Sequence, residues 1–215
     1  LLTEKKERRI QVKALYVERG ALTIQDDYVH ESPVVHAVYD LDLYLGNLTR
    51  GKRGKLNLSA LVKDQTGRSE LNVKGKLKLA SDDQPFLDSI FDGHVTAKNI
   101  QAERYWDYYR SYVPFEKILG HLDVESGFKG KLREFEAEGM ISVRDLRFSY
   151  PGVFRSALTP RTVQLKYHLN LDSRDVTIKD IDVHVDGFRA QGSCAVLDMP
   201  SRDPRIVARA ATSAF

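Results

Sequence analysis

Val163-Gln164-Leu165-Lys166-Tyr167-His168-Leu169-Asn170-Leu171 alternates without a break, apolar at every odd position and polar at every even one. Successive side chains of a strand point to opposite faces, so a period of two makes a ribbon with one apolar and one wet side. The same rhythm holds at Lys55 to Lys63, where Leu56, Leu58, Ala60 and Val62 oppose Lys55, Asn57, Ser59 and Lys63. About ten segments read this way and only one stretch reads as helix.

Outward from these, His36 to Leu45 alternates with Ala37, Tyr39, Leu41, Leu43 and Leu45 on one face. Leu71, Val73, Leu77 and Leu79 continue the pattern, followed by Gly93 to Gln101, His121 to Phe128, Phe135 to Val143 and Leu146 to Tyr150. Val176 to Val185, Phe188 to Val196 and Ile206 to Ala210 complete it. Near the start, Arg19-Gly20 reads as the turn of a hairpin between Ile10 to Glu18 and Ala21 to Gln25. Further turns are predicted at Arg50 to Gly54, Gln65 to Arg68, Arg174-Asp175 and Asp186-Gly187. Strands joined by short turns must run antiparallel, and the result is a meander.

The helical stretch is Ala102 to Leu119, with Tyr105, Trp106, Tyr109, Tyr112 and Phe115 among its aromatics. Pro114 disfavours helix at Val113, which predicts a kink or two short helices. One helix is about 10–12 Å across and covers two or three strands. Ten to twelve strands span roughly 50 Å. Most of the apolar face therefore needs another cover: a sandwich, a closed barrel, or a trough that meets an apolar ligand. Small residues at Ala37, Ala60, Gly75, Ala97, Gly139, Ala190 and Gly192 interrupt the apolar set where a sheet could bend.

Composition narrows the function classes. The 215 residues carry 33 basic and 30 acidic side chains, net +3, and the charges are interleaved, which gives nucleic-acid binding little electrostatic support. The basic runs Lys5 to Arg9 and Arg50 to Arg53 read as a solvated terminus and a hairpin tip. Cys194 is alone, so neither an intrachain disulfide nor a cysteine-rich zinc site can form, and its small apolar neighbours predict a buried structural thiol. His30, His36, His94, His121, His168 and His184 lack metal-ligand spacing, and no nucleophile elbow, phosphate loop or dinucleotide fingerprint occurs. Asp26-Asp27 and Asp82-Asp83 read as turn residues, because strand neighbours point apart. Asp180, Asp182 and Asp186 share a face and could attract a cation. The reading is of a non-enzyme without cofactor or metal.

One segment carries a resemblance. Asp92-Gly93-His94-Val95 and Asn99-Ile100 lead through Tyr112-Val113-Pro114-Phe115 to Leu119-Gly120-His121-Leu122-Asp123-Val124. Gly127, Gly130, Phe135 to Gly139, Ile141 and Asp145-Leu146-Arg147-Phe148 follow. This order resembles the AsmA-like proteins of Gram-negative bacteria, whose repeats run strand, helix, "G-x-L-D" strand, glycine turn and "G-x-I-x-V-x-D-L" strand. The resemblance implies a periplasmic section of an inner-membrane-anchored protein that moves phospholipid toward the outer membrane in an apolar β-groove. It implies no protein partner by name.

The expected fold is mainly β: a long curved antiparallel sheet, a taco-like groove or partly open barrel, with one short kinked helical insert near 102–119. Residues 1–8 are read as a linker, and 9–215 as a single groove section of a larger protein. The chain begins Leu1-Leu2 and ends inside a strand-like run, which fits that reading. The predicted lining is Leu43, Leu45, Leu58, Val62, Val73, Leu77, Leu122, Val124, Ile141, Val143, Leu165, Tyr167, Leu169, Val183 and Val185. Tyr105, Trp106, Tyr109, Tyr112 and Phe115 form a lid or wall. The expected ligand is phospholipid or another acyl lipid. The alternative is a structural or assembly β-sandwich module with no lipid ligand.

Overall fold

The computed structural model describes residues 13–26, 34–47, 49, 51–64, 67–81, 83–110, 115–152, 154–199 and 205–214. Eleven strands form one antiparallel sheet in which every strand pairs with its neighbours in the sequence. They are β1 (Ala14–Asp26), β2 (Val34–Gly46), β3 (Arg53–Asp64), β4 (Gly67–Lys78), β5 (Ile90–Gln101) and β6 (Leu119–Lys131). After these come β7 (Glu134–Arg147), β8 (Thr162–Leu171), β9 (Val176–Val185), β10 (Phe188–Leu197) and β11 (Arg205–Ala214).

The sheet is open and uncurled. Among the described residues β1 and β11 do not pair, so the sheet does not close into a barrel, and the strands pack chiefly on their neighbours in sequence, as one layer and not a sandwich. A single layer leaves much of itself wet: its accessible surface is 15787 Å², against roughly 10,000 Å² for a compact chain of this mass. Among the described residues the buried apolar side chains are four alanines, Ala60, Ala80, Ala102 and Ala137. Every larger one keeps some exposure to solvent.

Three expectations need correction. The hairpin predicted at Arg19-Gly20 is one continuous strand, β1. Arg19 lies at φ 48, and its amide donates to Asp42 Oδ1 at 2.9 Å, so the residue makes a bulge where a turn was expected. The helix expected over 102–119 is shorter: a 3-10 turn, Ala102–Tyr105, runs into one α-turn, α1 (Trp106–Tyr109). Residues 115–118 are irregular and Leu119 already opens β6. Leu146 extends β7, while Phe148 makes an isolated bridge to Leu158.

The bulges share a local cause. Asp40, Asn99, Asp145 and Asp180 all have positive φ, a conformation that Asn and Asp tolerate best among residues with a side chain. Each stands just before Leu or Ile, at a register shift where two residues oppose one. A bulge moves the alternation by one place. Ala37 and Tyr39, expected beside Leu41, Leu43 and Leu45, therefore fall on the opposite face, and His36 and Val38 take their place.

Candidate functional site

The register assembles the apolar face row by row. Leu43, Leu58, Val73, Val95, Ser126, Gly139 and Tyr167 are successive cross-strand partners from β2 to β8. One row away run Ala60, Leu71, Ala97, Val124, Ile141, Leu165 and Val183. A third row runs Leu45, Leu56, Gly75, Gly93, Phe128, Ala137 and Leu169. Leu122, Val143, Val163 and Val185 form a fourth. Val62 opposes Ser69, and Leu77 opposes Phe91, on the same side. All the residues expected as lining thus stand on one continuous face, each half-buried.

Two details shape this face. Gly75 and Gly93 oppose each other, and a Cβ on either would meet the other's backbone within 3 Å, with the Phe91 ring laid across both. Tyr167 lies over its partner Gly139 and donates its hydroxyl to Ser126 Oγ at 2.9 Å, and Ser126 in turn donates to Glu138 O. The hydroxyl pair is satisfied internally, so its place in an apolar face carries little penalty. Phe91, Val95, Phe128, Leu132 and Phe135 line a recess of about 220 Å³, with Phe128 and Phe135 5.5 Å apart. That is smaller than the ~300–1,000 Å³ of ordinary small-molecule pockets. Cys194 sits on the same face between Ile178 and Ala208.

One end of the face is covered. The turn from Ala102 reaches back from β5 to β2, where Tyr108 Oη and His36 Nε2 share a hydrogen bond at 3.0 Å. Tyr105 stacks on the same imidazole at 6.1 Å. Trp106 is half-buried in α1, Tyr109 closes that turn, and Phe115 packs edge-on against Phe148 at 5.1 Å. Tyr112 lies outside the described residues. Sequence reading missed His36 and Tyr108 as a pair, because the contact joins residues 72 apart.

The other face is polar and holds the wider hollows. One of about 990 Å³ is lined by His94, Glu125, Glu138, Lys166, His168 and Asp182 among others, and covering those charged groups with an acyl chain would cost free energy. Asp182 accepts two hydrogen bonds from Arg189, both 2.8 Å, which together with His184 hold its carboxyl down at about 2. Asp180 is the β9 bulge residue, and Asp186 Oδ2 accepts from the Arg161 amide, so the expected acidic trio does not converge. Among the described residues no cluster of three or more His, Cys, Asp or Glu side chains is placed to hold a metal. No helix among them is long and apolar enough to cross a membrane.

No protein-family model matches this chain, and no curated protein or solved structure does either.

Proposed function

We propose that this chain is a lipid-binding section of a periplasmic, inner-membrane-anchored AsmA-like protein of a Gram-negative bacterium. It holds phospholipid acyl chains against its apolar face and helps carry them between the inner and outer membranes. The role is non-enzymatic. One observation carries the reading: a continuous apolar face, built from rows of Leu, Val and Ile, with no second layer over most of it among the described residues. Acyl chains are fluid and need an apolar lining more than an exact polar constellation, and each buried methylene contributes about 0.8 kcal/mol. The resemblance of Asp92 to Phe148 to the AsmA-like repeat supports the same reading.

The second reading, a structural module that binds no lipid, draws support from the hollows on the polar face, which are wider than the apolar recess. Native mass spectrometry followed by lipid extraction separates the two. Phospholipid should be retained in roughly stoichiometric amount. It should be lost in Val124→Asp and in Leu165→Asp, both checked for folding by circular dichroism. Gln164→Asp, on the polar side of the same strand β8, should retain it. A clean lipid-free mass for the unaltered, folded protein would sink the lipid reading.

A further inference from the structure

The polar faces of β3 and β4 break the charge logic of the sheet. Elsewhere opposite charges face each other across strands: Lys129 opposes Glu136, Lys131 opposes Glu134, and Lys166 opposes Asp182. Between β3 and β4 the register sets Lys55 against Lys76 and Arg53 against Lys78. Like charges directly opposite each other destabilise a sheet. None of these four, nor Lys74, forms an ion pair with a described residue. Arg53, Lys55, Lys74 and Lys76 line a hollow of about 760 Å³ whose one carboxylate is Asp92. Lys76 also stands opposite Asp92 on β5, whereas Arg53, Lys55 and Lys78 face no carboxylate on either neighbouring strand, and these cations point to an anion outside the chain.

What lies beside them identifies the anion. The loop after β4 carries a 3-10 turn, Phe86–Asp88, with Phe86 67% and Leu87 55% exposed. The loop is fastened to its surroundings. Ser89 is fully buried, its Oγ accepts from the Ala80 amide at 3.0 Å, and its carbonyl accepts from the Leu132 amide at 3.0 Å. Arg133 Nη2 holds Asp88 at 2.7 Å. Two large apolar side chains are thus presented on a tethered tip, with Leu132, 38% exposed, on the adjoining turn. Arg53 opens β3 and Lys78 closes β4 at this same end, and the Gly51 amide ties the two turns together through Leu79 O. Lys78 stands opposite Ile90, four residues after Phe86, and Lys76 lies two residues back along β4, about 7 Å at ~3.4 Å per residue.

We propose that this end of the sheet docks on a bilayer containing anionic phospholipid. Phe86 and Leu87 enter the headgroup boundary, and Arg53, Lys55, Lys76 and Lys78 meet its phosphates. Apolar residues at a tip with flanking cations follow the physics of interfacial anchoring. The inference stands apart from acyl binding, which uses the opposite face.

The test is co-flotation of the whole chain with vesicles, in low and high salt. It should float with equal parts phosphatidylcholine and phosphatidylglycerol, and stay behind with phosphatidylcholine alone or in high salt. Each cation removed should weaken binding roughly fivefold, so Lys55→Glu with Lys76→Glu should lose at least ~25-fold. Phe86→Ser with Leu87→Ser should lose ~tenfold or more. Both pairs are at the surface, and circular dichroism should show them folded. Lipid retained in native mass spectrometry should be unchanged in the Lys55→Glu, Lys76→Glu protein, which separates failure here from failure of the acyl reading. Flotation independent of lipid charge, or unmoved by these substitutions, would overturn the proposal. So would binding of pyrophosphate or polyglutamate without any vesicle binding, which would assign the hollow to a soluble anion or an acidic protein.

Discussion

The hairpins β3–β4 and β6–β7 are alike on one side and opposed on the other. On the apolar side both place leucine, valine or isoleucine beside small residues, with Gly75 in one and Gly139 in the other. On the polar side β6–β7 pairs Lys129 with Glu136 and Lys131 with Glu134, whereas β3–β4 pairs cation with cation. The β6–β7 charges are accounted for by the sheet that holds them. Those of Arg53, Lys55 and Lys78 in β3–β4 are not, and a charge arrangement that weakens its own ladder is where an external partner is sought first.

The apolar likeness can be broken with the largest effect. A Cβ at Gly139 would press on the Glu125 carbonyl and on Ser126 Cα, and one at Gly75 on the Asp92 carbonyl and on Gly93 Cα. Neither obstacle is a flexible side-chain end. Gly139→Val and Gly75→Val should therefore each lose about 3 kcal/mol in urea unfolding. Similar losses would sustain the likeness; a mild effect at one site alone would show that the two hairpins pack differently.

The charge difference can be reversed with smaller effects of opposite sign. Glu136→Lys should destabilise β6–β7 by ~0.5–1 kcal/mol, and Lys55→Glu, at a position that faces only Gly46 and Lys76, should stabilise β3–β4 by up to ~1 kcal/mol. A gain in stability at Lys55 together with weaker vesicle binding would be the signature of a site maintained against the interest of the fold. Loss of stability there would mean that the cations serve the sheet after all.

The smallest effect concerns Asp182, a counterpart of the β6–β7 logic on β9. Arg189 lowers its carboxyl from the ordinary 3.8 to about 2. A lowered carboxyl contributes stability that is present above its unfolded value and lost as pH falls through the folded one, here between about 4 and 2. Following the carboxyl by NMR titration should give that low midpoint, and Arg189→Gln should return it toward 3.8.

Much of the fold was legible because alternation is a local property. Leu165, Tyr167 and Leu169 announce their face with no knowledge of their neighbours, and the same holds for each strand that lacks a bulge. Legibility fails where one residue enters the left-handed region. Asp40 turned the Ala37 and Tyr39 assignment over, and Arg19 converted an expected turn into a bulged strand. A signal was present in Asp40-Leu41, Asn99-Ile100, Asp145-Leu146 and Asp180-Ile181: a residue tolerant of positive φ, then an apolar one, inside a strand. The cation pairs were illegible for a different reason. Lys55 and Lys76 become neighbours only through a register that no short window contains. The same is true of His36 and Tyr108.

The strand order, each strand beside its predecessor in the chain, has a consequence for how this molecule comes into being. Loop-closure entropy is paid in small steps, hairpin by hairpin, with no distant segment to wait for. Such a sheet can grow in the direction of synthesis or export, each arriving strand finding its template already in place. Its cooperativity is correspondingly short-ranged, like that of a repeat array in which a unit senses only its two neighbours. A lesion at one rung then loosens the adjacent hairpins and leaves the remote ones standing.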